Sequence, residues 1–103
     1  MVMHEWVCHD TKVSEEGTDT KLLFSIGDRY FVASQVIAFD HGDYETMIFP
    51  AAEDGEILSY YDLYACRGHE LISKSIENFI NERRYEHDEH YRYLLEHSED
   101  TMD

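Results

Sequence analysis

The stretch that decides the fold is Leu22-Leu23-Phe24-Ser25-Ile26-Gly27-Asp28-Arg29-Tyr30-Phe31-Val32-Ala33-Ser34-Gln35-Val36. Leu22, Phe24 and Ile26 alternate with Leu23, Ser25 and Gly27, a period of two that sends successive side chains to opposite faces of a strand. Gly27-Asp28 is a tight-turn pair, and the β-branched and aromatic run from Tyr30 to Phe39 returns antiparallel to the first strand. Further on, Asp40-His41-Gly42-Asp43 reads as a second polar turn and Tyr44 to Phe49 as a third strand. Pro50 is expected to end that strand, because a prolyl nitrogen has no hydrogen to give a central ladder. Glu53-Asp54-Gly55 marks another turn, and Glu56 to Ser59 fits either an edge strand or the start of a helical turn over Tyr60 to Tyr64. In the other direction, Glu5 to Val13 adds an N-terminal strand with Trp6 and Cys8 on one face.

Beyond Gly68 the period changes to about 3.6. Ile72, Ile76, Phe79, Ile80 and Arg83 fall within ~100° of one another around a helix, a stripe suited to lying across a sheet. After Arg83-Arg84 the pattern restarts with Tyr91, Leu94 and Leu95, so the helix either continues or breaks near Tyr85. The fold class is α+β: a small antiparallel sheet of three to five strands covered by one or two C-terminal helices in two layers. Residues 1–98 read as one domain and 99–103 as a disordered tail.

The 103 residues carry 23 Asp and Glu against 8 Lys and Arg, a formal charge of −15, while 43% of them are apolar and 14% aromatic. That apolar share is enough for a core, and the charge exceeds the magnitude of about 2–8 typical of a small soluble domain. Residues 1–68 carry −9 and residues 69–103 carry −6, so the acid is spread over the chain rather than gathered in a tail. Direct binding to a phosphate backbone is excluded as the default role, and attention turns to basic partners. No apolar run approaches the ~18–20 residues needed to cross a bilayer, and Met1-Val2-Met3-His4-Glu5-Trp6 lacks the basic and apolar regions of a signal peptide. A cytoplasmic protein without membrane contact is expected, with Cys8 and Cys66 as reduced, partly buried thiols.

The run Phe39-Asp40-His41, the strand Tyr44-Glu45-Thr46-Met47-Ile48-Phe49, and the approach through Tyr64 to Gly68-His69-Glu70 together resemble a group of small bacteriophage proteins. In that group an Asp-His turn precedes a strand written aromatic-Glu-Thr-Met-Val/Ile-Phe, and a Gly-His-Glu opens a helix. The resemblance covers roughly residues 36–75, with Glu45 to Phe49 its most specific part. It implies a phage origin and an infected bacterial host as the setting, and it brings no activity and no catalytic residues. Pro50-Ala51-Ala52 departs from the glycine-rich turn of the group, and the acidic C-terminal helix is longer.

Asp40, His41, Asp43 and Glu45 place three carboxylates and an imidazole within six residues, the composition of a ligand or cation site and equally that of an ordinary turn. They form the alternative ligand site. His69 and Glu70 suit a helix N-terminus, where a carboxylate complements the macrodipole, and capping is their expected role. His87, His90 and His97 share one helical face, but the last two are about 10.5 Å apart along the axis at 1.5 Å per residue, so no metal and no cofactor is expected there. No nucleophile elbow and no phosphate-cradling glycine loop is present. Adjacent Cys8 and His9 face opposite ways on a strand, and no enzyme activity is expected.

Tyr60, Tyr61 and Tyr64 precede the helix, while Tyr85 and Tyr93 lie among Glu82, Glu86, Asp88, Glu89 and Glu96. Aromatic rings among carboxylates suit a contact with the arginines and lysines of a partner protein. The expected partner-binding residues are therefore Glu82, Tyr85, Glu86, Asp88, Glu89, Tyr93 and Glu96. Two functions of different class follow. One is a phage-encoded acidic inhibitor, of the anti-CRISPR or DNA-mimic type, that binds a basic groove of a host defence or nucleic-acid-handling complex as a monomer or homodimer. The other is a small ligand-binding or sequestering module, with a minor virion assembly protein as a third reading.

Overall fold

A computed structural model describes residues 5–37, 42–60 and 62–88, with residues 87 and 88 described by backbone alone. Five strands form one antiparallel meander in the order β1-β2-β3-β4-β5: β1 Trp6–Val13, β2 Asp19–Ile26, β3 Arg29–Ile37, β4 Tyr44–Ala51 and β5 Tyr64–Gly68. Helix α1, Ile72–Asn81, and a 3-10 turn, Arg84–Asp88, follow. The architecture is α+β.

The hairpin expected at Gly27-Asp28 is present, with Ile26 opposite Arg29 and Gly27 at a φ of +62°, a conformation that glycine adopts without a Cβ penalty. Register then sorts the faces. Leu22, Phe24 and Ile26 of β2, Phe31 and Ala33 of β3 and Ile48 of β4 are buried on one face together with Ile76, Phe79 and Ile80 of α1. Phe79 is fully buried, its ring 5.1 Å from Phe31, 6.1 Å from Phe24, 6.5 Å from Tyr64 and 6.4 Å from Tyr85. Trp6 closes the β1 side of this core, edge-on to Phe24 at 5.9 Å. Burying side chains of this size contributes about 1.5–3 kcal/mol each, which is why the apolar stripe of α1 lies against the sheet.

Four expectations are corrected. Pro50 does not end its strand, because β4 runs on to Ala51 and Pro50 pairs with Phe31. The Pro50 carbonyl accepts from Leu58 N–H at 2.9 Å, on the side away from β3, and a residue's nitrogen points the same way as its carbonyl. The missing N–H therefore falls beyond the end of β5, where no ladder needs it. The segment Glu56 to Ser59 is not the edge strand: Ile57 makes a single bridge to Ala51, and the edge is Tyr64–Gly68. Neither His69 nor Glu70 caps α1, whose N-cap position is Leu71 without a side-chain hydrogen bond. Finally, Arg83 does not belong to the stripe of α1: of the two alternatives the break is the one present, with α1 ending at Asn81, Glu82 as C-cap and Arg83 in the left-handed region at a φ of +57°. Arg83 is consequently exposed rather than part of the apolar stripe, and the reversal it creates brings Tyr85 back onto Phe79. The restart at Tyr91, Leu94 and Leu95, His90 and His97, and the tail 99–103 lie outside the described residues.

Among the described residues no helix is long and apolar enough to cross a membrane. β1 and β5 are the opposite edges of the sheet, four strand steps or about 19 Å apart at ~4.8 Å per step. Cys8 and Cys66 therefore lie too far apart to bridge, since a disulfide needs Cα atoms within about 7 Å.

Candidate functional site

Folding leaves the carboxylates outside. Fourteen of the sixteen acidic side chains that are described are exposed, Asp43 and Glu70 being the half-buried ones. Several of the cations are matched internally: Arg67 Nε lies 3.8 Å from Asp43, Arg84 Nε 3.2 Å from Glu82, and Arg83 Nη2 2.6 Å from Glu86. Such surface pairs stabilise the fold by only ~0–1 kcal/mol each, and each offsets one cation with one carboxylate, so the field a partner meets is set by the acids left over.

Among the described residues, both ends of the sheet carry exposed carboxylates without an ion pair, Glu15, Glu16 and Asp19 at the β1–β2 turn and a larger set at the opposite end. Register places the β2–β3 turn with Asp28, the Glu5 that precedes β1, and the β4–β5 connection with Glu53, Asp54, Glu56 and Asp62 at this end. The connection is built locally. Ala52 N–H donates to Glu56 O at 2.8 Å, Gly55 N–H to Ala52 O at 2.9 Å, and the Asp54 carboxylate accepts from Glu56 N–H at 2.9 Å. Arg29 Nη1 donates to Tyr85 O at 3.2 Å and so holds the turn after α1 beside the same end.

The residues expected to bind a partner divide. Glu82 and Glu86 are exposed and ion-paired with Arg84 and Arg83, and the break at Arg83 takes them off one continuous helical ridge. Tyr85 is only 7% exposed and packs on Phe79, so its ring belongs to the core and not to a contact surface. Of Asp88 only the backbone is described, and Glu89, Tyr93 and Glu96 lie outside the described residues. Tyr64 is likewise buried, and desolvation pushes its phenol above the ordinary tyrosine range. Tyr60 differs: the residue is 76% exposed, and its ring stands edge-on to Phe49 at 5.4 Å.

Of the alternative ligand site, Asp40 and His41 lie outside the described residues. The Asp43 carboxylate already has partners, with His69 Nε2 at 2.9 Å from one oxygen and Arg67 from the other. Glu45 is exposed and stands opposite Arg67 in the β4–β5 register. No group of three His, Cys, Asp or Glu among the described residues is placed to hold a metal ion.

Three arrangements lie beyond the sequence reading. The Glu70 carboxylate accepts from Asn78 Nδ2 at 2.8 Å and from Ser75 Oγ and Cys66 Sγ at 3.3 Å each, tying β5 to α1. Gln35 Nε2 donates to Thr46 Oγ1 and to Glu70 O, both at 3.0 Å, which anchors the same corner to β3 and β4. No buried side-chain polar atom among the described residues is left without a partner, so this corner reads as a brace. His9 is the extra residue at the irregularity between Cys8 and Asp10, and its Nε2 meets Ser25 Oγ at 2.7 Å while Cys8 meets Thr11 on the other face. The His9–Ser25 spacing is that of a base and a nucleophile, but the backbone amides around Ser25 lie in strands on both sides rather than in an oxyanion pocket. The third arrangement is the pairing of Lys12 with Lys21 across β1 and β2. No protein-family model matches the chain, and neither a curated protein nor a solved structure is significantly similar to it.

Proposed function

We propose that the protein acts by binding: it is an acidic inhibitor, of the anti-CRISPR or DNA-mimic type, that fills a basic groove of a host defence or nucleic-acid-handling complex. The observation that carries this reading is the set of exposed carboxylates Glu5, Asp28, Glu53, Glu56 and Asp62 at one end of a braced sheet. A groove evolved for phosphates attracts such a surface, and the attraction speeds association at low salt. Glu82 and Glu86 adjoin this end through the Arg29–Tyr85 contact, and Asp88, Glu89, Tyr93 and Glu96 follow them in the sequence. A phage gene acting in the bacterial cytoplasm suits this role, as the resemblance implies, and binding as a monomer or homodimer serves it equally.

The test is displacement. The protein is added to nucleic-acid-handling complexes isolated from a bacterial host and loaded with fluorescent duplex DNA. Release of the DNA is expected, with affinity falling as salt rises because exposed charges are screened over about 8–10 Å near physiological ionic strength. Reversal of Glu53, Glu56 and Asp62 to Lys is expected to slow association at least tenfold. Complexes that keep their DNA, or an affinity indifferent to salt, would sink the proposal.

A further inference from the structure

On the sheet face away from α1 lies a cleft of about 350 Å³, within the size range of small-molecule sites. Its floor is Leu23 of β2 and Val32 of β3, its far wall is Ile57 of the β4–β5 connection, and the exposed Tyr60 stands at its rim. Gly55 approaches closely enough that a Cβ there would touch Leu23 at 3.5 Å, so the connection folds down over the sheet and gives the cleft its depth.

Lys12 and Lys21 line this cleft, and they are directly opposite each other across β1 and β2. Residues so placed have Cβ atoms about 4.5–5.5 Å apart, and like charges at that spacing destabilise a sheet. The chain has three lysines, and two of them are spent on this one pair. Among the described residues no carboxylate stands within ion-pair distance of either ammonium, although Arg67, Arg83 and Arg84 are all paired. Asp10 and Asp54 share the cleft lining with the two lysines, but neither carboxylate forms an ion pair with them. Two unpaired ammonium groups beside an apolar floor and an aromatic rim are complementary to an anion that carries a flat ring.

We propose that this cleft binds a small aromatic monoanion, its anionic group shared by Lys12 and Lys21 and its ring lying on Leu23 and Val32 beneath Tyr60. Asp10 and Asp54 also line the cleft and set an upper limit on ligand charge. With two ammonium groups and two carboxylates in the lining, a monoanion is served by the lysine pair, whereas each further negative charge on a ligand finds no additional cation there.

The experiment is a titration of the full chain, followed by backbone amide NMR shifts, with four probes: indole-3-acetate, indole, acetate and adenosine monophosphate. Indole-3-acetate is expected to shift the amides of Lys12, Lys21, Leu23, Val32 and Gly55, and to bind at least tenfold more tightly than indole or acetate. A Lys12→Gln, Lys21→Gln double variant is expected to lose at least tenfold in indole-3-acetate affinity while its indole affinity stays unchanged. Because the variant also relieves the facing charges, its thermal midpoint without ligand is expected to rise by about 2–4 °C. A double variant that melts lower than the parent would make the lysines structural and overturn the proposal. So would acetate binding as well as indole-3-acetate, or an absence of cleft shifts at millimolar probe. Tighter binding of the dianionic adenosine monophosphate would overturn the limit set by Asp10 and Asp54.

Discussion

Replacing Phe79 with Ala removes the residue that joins helix to sheet, and the structure sets the size of the effect. Phe79 is fully buried and has four aromatic rings within 6.5 Å: Phe24, Phe31, Tyr64 and Tyr85. Truncating a buried Phe to Ala costs about 3–5 kcal/mol, and each edge-on aromatic pair adds about 0.5–1.5 kcal/mol beyond area alone. The loss is therefore expected near the top of that range, about 5 kcal/mol. A domain of this size is stable by only about 5–15 kcal/mol in total, so the Ala variant is expected to be largely unfolded or to melt tens of degrees lower. Phe79→Leu keeps most of the volume and is expected to lose about 1.5 kcal/mol. Urea titration followed by Trp6 fluorescence and near-ultraviolet circular dichroism reads both, since Trp6 lies against Phe24 in the same cluster. A loss below about 2 kcal/mol for the Ala variant would refute the reasoning, because it would mean that α1 does not depend on this contact.

Tyr85→Ala is expected to cost about 3 kcal/mol of stability, as a core ring does, and to change partner affinity only insofar as the fold is lost; equal stability with lost binding would return Tyr85 to the surface. Arg83→Gly is expected to raise the urea midpoint by the equivalent of about 0.5–1 kcal/mol, because glycine takes the left-handed C-terminal position of α1 without steric cost and the exposed Arg83–Glu86 pair gives up little. Thiol titration of the native protein is expected to show Cys8 reacting quickly and Cys66 slowly, with both free in denaturant, and a gel without reductant is expected to show no internal bridge. Burial raises the Tyr64 phenol above its ordinary value of 10.0, so the unfolded chain loses this proton first. The Tyr64 contribution is fully present below pH ~10 and is lost as pH rises through the folded value; urea midpoints near pH 9 and pH 11 are expected to converge in Tyr64→Phe relative to the parent.

Local periodicity was enough for the β2–β3 hairpin and for the apolar stripe of α1, because alternation at Leu22, Phe24 and Ile26 and the spacing of Ile72, Ile76, Phe79 and Ile80 are set by chain geometry within one element. The −15 charge and its exposure were equally legible, since carboxylates stay in water unless they are paired. What required the tertiary structure were features that depend on residues far apart in the chain. Tyr64–Gly68 has too few alternating positions to declare itself a strand and becomes one because β4 offers it an edge. Pro50 is tolerated in a strand because β5 ends before it, a fact of register that no local pattern contains. Tyr85 looks like a surface ring among charges until the reversal at Arg83 returns it to Phe79. Glu70 stands where a capping acid would stand, yet Cys66, Ser75 and Asn78 converge on it from two elements. Lys12 and Lys21 are nine positions apart in the chain and become direct neighbours only when β1 and β2 pair. A sequence shows the preferences of each segment, whereas side chains that share a charge, a hydrogen bond or a core contact across segments are brought together by the packing that buries Phe24, Phe31 and Phe79.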